Sequence, residues 1–166
     1  MGMSVTISAA TEDDAEHILK LQYLCYQSEA RLHGDWGIEP LTQSLDSVRA
    51  ELRSGRVLVA RLGTEVVASV RAVLDADGTA RIGKLVVHPR MQRHGLGGRL
   101  LTAIETQLVR EGATRRFELF TGQRSESDLR LYRKHGYVPV GTEQADERPG
   151  VVTLAKEAGA GAYAAA

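Results

Sequence analysis

The sequence predicts an α/β protein with one mixed, mostly antiparallel sheet of about seven strands and helices on both faces. Seven short segments are rich in β-branched or alternating apolar residues, which is typical of strands. Segments with apolar residues at helical spacing separate them. The order is strand, two helices, three strands, helix, strand, helix and two strands. A sheet covered by helices buries the apolar faces of all these elements.

The first strand is predicted at residues 4–10, where apolar and polar side chains alternate. Thr11 and Asp14 then have the spacing of a helix N-cap with an acidic third position. The helix that follows carries Cys25 on its apolar face, which predicts a buried thiol rather than a nucleophile. The glycine- and proline-containing segment 32–40 is predicted to be a loop.

A second helix is predicted to end at Gly55, which can adopt the left-handed conformation that closes helices. Three strands follow at residues 56–62, 65–74 and 80–89. The second and third are joined by the sequence Asp-Ala-Asp-Gly at residues 75–78, which is typical of a hairpin turn. This part of the chain is therefore expected to form an antiparallel meander.

The next helix precedes a strand at residues 116–120 and ends at Gly112. The strand–helix–strand unit over residues 80–120 predicts two parallel strands with a right-handed connection. The apolar face of its helix consists of Leu100, Leu101, Ile104 and Leu108.

A capped helix at residues 125–136 and strands at 137–141 and 151–155 complete the pattern. We predict a single domain over residues 3–156. The low-complexity segment 157–166 offers little apolar surface to bury and is expected to be disordered.

The composition excludes several classes of protein. The formal net charge of zero does not favour broad electrostatic binding to nucleic acid or to an anionic membrane. No apolar run approaches the roughly 18 residues of a transmembrane helix. The single cysteine excludes an intrachain disulfide framework and fits a reducing compartment. The five histidines lack the spacing of metal ligands. We therefore predict a cytoplasmic protein without bound metal, nucleic-acid partner or membrane partner.

The segment Gln-Arg-His-Gly-Leu-Gly-Gly-Arg-Leu, residues 92–100, lies between a predicted strand and a predicted helix. A helix N-terminus presents unpaired N–H groups and the positive end of the helix dipole, and glycine lets a ligand approach the backbone. These properties predict a phosphate or diphosphate site. The alternative is a tight turn that needs glycine only for its φ angles. The Walker A and dinucleotide-binding motifs both have different spacing.

The six residues from Gln92 to Gly97 resemble the Q/R-x-x-G-x-G/A motif of the GNAT superfamily of N-acetyltransferases. Residues 129–141 resemble the second signature of that family, a helix with a tyrosine followed by a Gly-Tyr strand start. The order of elements is similar from about residue 5 to residue 156. The resemblance implies a GNAT-type fold with acetyl-CoA as cosubstrate.

The resemblance also implies how acetyl-CoA binds. A bulge, for which Gly83 is a candidate, would splay the cofactor strand from its neighbour. Backbone groups of that strand would then pair with the pantetheine arm, and N–H groups of the glycine segment would hold the diphosphate. The implied binding residues are Leu85, Val86, Val87, Gln92, Arg93, His94, Gly95, Leu96, Gly97, Gly98, Arg99, Ser125 and Tyr132.

Tyr132 is the candidate proton donor, because the family places a tyrosine here beside the cofactor sulfur. A phenol with an ordinary pKa of about 10 is protonated at neutral pH and can donate to a thiolate. The alternative is that Tyr132 packs with Leu129 on an apolar helix face. Many relatives carry asparagine where this chain has Ser125 or Asp128, and the amide of that asparagine contacts the cofactor. The serine hydroxyl of this chain can still form a hydrogen bond there.

The general base has several candidates. Relatives use a glutamate early in the cofactor strand, where this chain has Arg81. Glu118 is the candidate on the following strand, although its side chain could equally face solvent. A water chain is a further alternative. The segments expected to wall the acceptor site supply Glu29, His33, Asp35 and Trp36, of which Trp36 could stack on an acceptor or pin its loop to the core.

The resemblance implies an acetyl-CoA-dependent N-acetyltransferase, an acyltransferase. It would move an acetyl group to a primary amine of a small molecule, peptide or protein by direct attack in a ternary complex. Homodimers are common in the family, so a homodimer is possible. The alternative is a non-catalytic acyl-CoA sensor, which would keep the glycine segment but need no proton donor.

Overall fold

The computed structural model describes residues 4–34, 36–143 and 150–159. The strands are β1 (Val5–Ala9), β2 (Val57–Leu62), β3 (Glu65–Leu74), β4 (Thr79–Val87), β5 (Arg116–Gly122), β6 (Val138–Glu143) and β7 (Val151–Glu157). The helices are α1 (Ala15–His33), α2 (Glu39–Thr42), α3 (Leu45–Arg53), α4 (Leu96–Arg110) and α5 (Glu126–Lys134). Two short 3-10 turns, Glu12–Asp14 and Pro89–Met91, precede α1 and α4.

The seven strands form one sheet in the order β1-β2-β3-β4-β5-β7-β6. β4 and β5 pair in parallel, as the crossover through α4 predicts. β1 with β2, β2 with β3, β5 with β7 and β6 with β7 pair antiparallel. The predicted fold class, a mixed sheet of seven strands with helices, is confirmed.

The fold differs from the prediction at the bounds of several elements. The predicted loop 32–40 overlaps the end of α1 at His33 and the short helix α2, in which Pro40 occupies the first turn. Proline is compatible with that position because its fixed φ is helical and the first turn needs no backbone donor. β5 and β6 extend past their predicted ends, to Gly122 and Glu143. β7 also reaches Glu157, the first residue of the predicted tail, and residues 160–166 of that tail lie outside the described part.

The chain divides into two compact units. Unit 1 comprises Met1–Arg71 and Lys84–Ile104, and unit 2 comprises Ala72–Gly83 and Glu105–Ala166. The strands β3 and β4 and the helix α4 each contribute to both units. The single domain over residues 3–156 therefore stays a prediction.

The core of unit 1 forms because α1 and α3 present apolar side chains at helical spacing to the strands. One helical face of α1, including Cys25 at its edge, packs against this core. Burial of such side chains contributes about 25 cal/mol per Å² of apolar surface. The buried cluster consists of Ala15, Ile18, Leu21, Val48, Leu52, Val57, Val59, Val66 and Val86.

The entry to α1 is held by the predicted pair, Thr11 and Asp14. The N–H of Thr11 donates to Asp14 Oδ2 at 2.9 Å, and Arg61 donates to the same oxygen at 2.7 Å. Burial acts to raise the pKa of Asp14, but the hydrogen bonds from Arg61 and Thr11 outweigh it and hold the pKa below its usual 3.8.

The Asp14→Asn variant is expected to be less stable than the native chain by about 1–2 kcal/mol at pH 7, because the amide loses the charge that Arg61 and the helix N-terminus favour. A carboxylate with a lower pKa in the folded state stabilises above its unfolded-state pKa of about 4. This contribution is lost as the pH falls through the folded-state pKa, so the two proteins should converge below pH 4. Urea unfolding at pH 7, 5 and 3 measures this difference. Asp46→Asn also removes a carboxylate from a first helical turn, but its side chain is 95% exposed, so it should have a smaller effect at pH 7.

Candidate active site

In unit 1, the segment between β4 and α4 is exposed, and its backbone turns back on itself. Arg93 and Gly95 both have left-handed backbone conformations, with φ of 70° and 75°. No described residue accepts a hydrogen bond from the N–H groups of residues 93–98. Left-handed residues alternating with others, followed by a helix N-terminus, make a concave array of amides that suits an anion. The residues present therefore fit the diphosphate of acetyl-CoA.

Gly95 meets two requirements of this segment. A side chain at φ of 75° would be strained, and the position of a Cβ atom there has no neighbour within 4 Å. The glycine is therefore needed for its conformation, and it also leaves open space in front of the amides. The sequence left these as alternatives, and both properties occur together.

Two predicted binding side chains contact the chain itself. The side-chain amide of Gln92 donates to the carbonyl oxygen of Val87 at 3.0 Å, which ties the glycine segment back to the end of β4. Arg99 donates to the carbonyl oxygen of Val5 at 3.3 Å. The structure thus gives both residues a supporting contact, and their binding of acetyl-CoA stays a prediction.

Cys25 contacts the same carbonyl group. Its Sγ lies 3.4 Å from the oxygen of Val87, and the residue is partly buried against the core of unit 1. Burial raises the pKa of Cys25 to about 11, against the opposing effect of the hydrogen bond with Val87. The thiol is therefore protonated at neutral pH, in agreement with the prediction that Cys25 is not a nucleophile.

β4 has a backbone irregularity in its middle, next to the residue expected to mark one. Gly83 itself is not left-handed, but Lys84 is, with a φ of 49°. A non-glycine residue in this conformation costs about 1–2 kcal/mol. The parallel register between β4 and β5 covers Thr79–Arg81, before this residue.

In unit 2, Tyr132 lies on α5 and is 7% exposed. Its ring centroid is 6.2 Å from that of Tyr137, and its carbonyl oxygen accepts the N–H of Tyr137 at 3.0 Å. Tyr132 therefore packs against Tyr137, and its packing with Leu129 stays a prediction. A buried phenol can also act as a proton donor, and that role stays a prediction.

The start of α5 contains both positions at which relatives carry asparagine, Ser125 and Asp128. Ser125, which is 5% exposed, is the N-cap, and its carbonyl oxygen accepts the N–H of Leu129 at 3.0 Å. Asp128 lies in the first turn of this helix and accepts a hydrogen bond from the hydroxyl of Thr121 at 3.2 Å.

Glu118 lies on the face of β5 opposite the buried Phe117 and Leu119, as the alternation predicts. Its side chain is 27% exposed, and Oε2 accepts a hydrogen bond from Arg116 at 3.2 Å. The carboxylate is thus half-buried and ion-paired rather than free in solvent.

Of the residues expected to wall the acceptor site, Trp36 is the one whose side chain is described. The side chains of Glu29 and His33, and the whole of Asp35, lie outside the described residues. Trp36 is 54% exposed, which favours stacking on an acceptor over pinning of the loop to the core, and both alternatives stay predictions.

Sequence reasoning missed a buried polar cluster in unit 2. The hydroxyl of Tyr137 donates to Glu105 Oε2 at 2.6 Å, and Lys156 donates to Glu105 Oε1 at 2.8 Å and to the carbonyl oxygen of His135 at 2.9 Å. Lys156 Nζ also lies 5.1 Å from the centre of the Tyr137 ring. The cluster therefore holds the turn that follows α5 and packs beside Tyr132.

We expect Tyr137→Phe to lower the free energy of unfolding by about 1–3 kcal/mol, because the buried Glu105 loses a charge-assisted donor. Glu105 is 4% exposed and Tyr137 is 1% exposed, so water does not readily replace the hydroxyl. Chemical denaturation measures this loss, and Tyr23→Phe, at a tyrosine that is 52% exposed, is the matched control with no expected change. Equal stability of the Tyr137 variant and the native chain would contradict this account of the cluster.

Among the described residues, no helix is long and apolar enough to cross a membrane. No group of three or more His, Cys, Asp or Glu side chains in that part of the chain is placed to hold a metal ion.

The model of the Acetyltransferase (GNAT) family matches residues 15–137, which is well over half of the chain. The chain belongs to the GNAT acetyltransferase family. The resemblance inferred from the glycine segment is thereby confirmed, and with it acetyl-CoA as the cosubstrate of this acetyltransferase. No curated protein matches the chain.

Solved structures of GNAT acetyltransferases have the same fold. A GNAT acetyltransferase from Streptococcus pneumoniae is 19% identical with a TM-score of 0.78, and the match covers 94% of this chain and 100% of that one. The putative acetyltransferase yncA from Salmonella typhimurium, solved with acetyl-CoA, is 19% identical with a TM-score of 0.77, covering 94% and 95%. The paia N-acetyltransferase from Thermoplasma acidophilum, solved with coenzyme A, is 16% identical with a TM-score of 0.73, covering 91% and 98%.

Proposed function

We propose that this GNAT acetyltransferase is an N-acetyltransferase that moves the acetyl group of acetyl-CoA to a primary amine by direct attack in a ternary complex. The observation that carries the proposal is the array of N–H groups over residues 93–98, which no described residue uses. An array of this kind is costly to leave without an anion or water, and a diphosphate satisfies it.

The donor side of the site consists of backbone groups. The amides of residues 93–98 bind the diphosphate, and the segment Leu85–Val87 pairs with the pantetheine arm as an added strand would. Gln92 supports both parts, because its side chain joins the glycine segment to Val87. We also propose that Ser125 forms a hydrogen bond with the pantetheine arm.

Acetyl-CoA supplies the acetyl group as an activated thioester. The N–H of Val87 donates to the carbonyl oxygen on which negative charge develops, and one such donor is worth roughly 3 kcal/mol in the transition state. Tyr132 donates its phenolic proton to the departing thiolate, which balances the charge left by cleavage of the C–S bond. Glu118 accepts the proton that the amine loses, and Oε1 is the oxygen for this task because Arg116 donates to Oε2.

Direct attack is favoured over an acyl-enzyme because the one cysteine is a poor nucleophile. Burial raises the pKa of Cys25 to about 11, and only the thiolate attacks a thioester readily. The acceptors compatible with this chemistry are small amines, amino acids, antibiotics, protein N-termini and lysine side chains.

The test is release of free thiol from acetyl-CoA by the purified protein in the presence of a panel of primary amines. We expect release that depends on the amine and saturates with acetyl-CoA. Binding of acetyl-CoA without turnover of any amine would favour the acyl-CoA sensor. No calorimetric heat from coenzyme A at millimolar concentration would overturn the proposal altogether.

A further inference from the structure

Lys84 is a strained residue at a position where glycine would be relaxed. Its φ of 49° lies in the left-handed region, in the middle of β4 and directly after Gly83. Such a conformation persists in a non-glycine residue only when the surrounding structure fixes it.

The contacts of its side chain supply that constraint. Lys84 is only 19% exposed, although lysine is usually a surface residue. Its Nζ lies 3.0 Å from Glu39 of α2, 2.9 Å from Gln43 and 3.1 Å from Glu51 of α3. Glu51 in turn accepts a hydrogen bond from Arg71, which is 5% exposed, at 3.1 Å. The strained backbone of β4 is thus anchored to two helices of unit 1.

The other end of the same segment is also held. The carbonyl oxygen of Val87 accepts hydrogen bonds from Cys25 of α1 at 3.4 Å and from Gln92 at 3.0 Å. The three residues Leu85–Val87 therefore lie between two fixed points, and only the Lys84 end depends on an ion pair.

We propose that Lys84 is a positioning residue whose contacts with Glu39 and Glu51 hold the left-handed turn of β4 and so orient the backbone of Leu85–Val87 toward acetyl-CoA. This role rests on the proposed function, because it requires that segment to bind the pantetheine arm. Without the anchor, the backbone at residue 84 relaxes toward negative φ and re-aims the N–H and C=O groups of Leu85 and Val86, while Cys25 and Gln92 still hold Val87. The loss is in the binding of acetyl-CoA and not in the chemical step.

Two substitutions at the same position test this role. Lys84→Met keeps a long side chain and the strain but loses the anchor, so acetyl-CoA should bind at least tenfold more weakly. Lys84→Gly loses the anchor together with the strain, so its affinity should stay within about threefold of the native value. Calorimetric titration with acetyl-CoA gives both values, and kcat at saturating acetyl-CoA should be near native for each variant.

Arg81 is the matched control on the same strand. Its side chain is exposed and pairs with Asp75 at 2.7 Å, and its φ is not positive. Glycine in an ordinary strand position is unfavourable, so Arg81→Gly should be no better than Arg81→Met. The glycine variant should therefore bind acetyl-CoA more tightly than the methionine variant at position 84, but not at position 81.

A variant at an exposed partner of Lys84 tests the role without the risk that the protein fails to fold. Glu39 is 59% exposed, so Glu39→Gln is expected to fold with a native melting temperature and to bind acetyl-CoA about threefold more weakly. Hydrogen exchange of the β4 amides in the ligand-free protein adds a readout independent of the cosubstrate. It should accelerate in Lys84→Met and stay closer to native in Lys84→Gly.

Equal weakening by the two Lys84 substitutions, or native affinity in Lys84→Met, would overturn the positioning role while leaving the proposed function intact. Failure of the native chain to bind acetyl-CoA would overturn both, and the proposed function first. Unchanged amide exchange in Lys84→Met would show that the anchor does not hold the backbone.

Discussion

The Tyr132→Phe variant is expected to turn over about 100-fold more slowly than the native chain and to bind acetyl-CoA with unchanged affinity. A positioned general acid contributes roughly 10²–10⁴ to the rate, and the change removes only the proton that the thiolate would receive. The ring keeps its volume, so its packing against Tyr137 at 6.2 Å between centroids is retained. Steady-state thiol release and calorimetric titration measure the two quantities separately.

Tyr137→Phe is the matched control for this experiment, since it removes a hydroxyl from the adjacent ring. That hydroxyl is 2.6 Å from Glu105, so its loss lowers stability, but it is not assigned to the reaction. We expect kcat within about threefold of native once the protein is folded. If Tyr132→Phe has native kcat, Tyr132 is not the proton donor, and an equal loss in both variants would indicate packing alone.

Gly95→Asp is expected to weaken acetyl-CoA binding about 100-fold with little change in melting temperature. Aspartate tolerates a left-handed backbone better than most residues, and a carboxylate near a helix N-terminus is favoured by the helix dipole. The same carboxylate repels a diphosphate, and two charges about 4 Å apart near a protein surface interact by about 4 kcal/mol before screening. The space that a Cβ atom would take at Gly95 is open, so the chain itself need not adjust.

Gly112→Asp provides the same change at the other end of α4. Gly112 is left-handed, with a φ of 85°, and a Cβ atom there also meets nothing within 4 Å. An acid after the last turn of a helix opposes the dipole, so this variant should be the less stable of the two. It should nevertheless bind acetyl-CoA with native affinity.

Gly95→Asn separates charge from volume, because asparagine tolerates the left-handed conformation but is neutral. We expect it to bind more tightly than Gly95→Asp. Native affinity in Gly95→Asp would mean that the amides of residues 93–98 do not hold the diphosphate, and the donor side of the proposed site would have to lie elsewhere.

The parts of this fold that the sequence predicted are those governed by local patterns. The strand pair joined through the turn at residues 75–78 depends on runs rich in β-branched residues and on one glycine. The start of α4 directly after the left-handed Gly95 depends on the local sequence. In each case the conformation is determined by residues that are close in sequence, so the local pattern was sufficient to predict the element.

The parts that were not predicted depend on residues far apart in the sequence. α2 has four residues and no apolar periodicity, so nothing distinguished it from a loop. The left-handed residue of β4 is Lys84 and not Gly83, and its side chain contacts Glu39 and Glu51, which are more than 30 positions away in the sequence. The pair of Tyr137 and Glu105 spans 32 positions and leaves no local signature.

The position of β7 has a consequence for how the chain is made. β7 pairs with both β5 and β6, yet the ribosome synthesises it after both of them. Until it emerges, two strands of the nascent chain carry unpaired backbone edges, which are templates for intermolecular pairing. Slow translation or premature termination between residues 143 and 151 would therefore leave an intermediate whose unpaired strand edges favour aggregation.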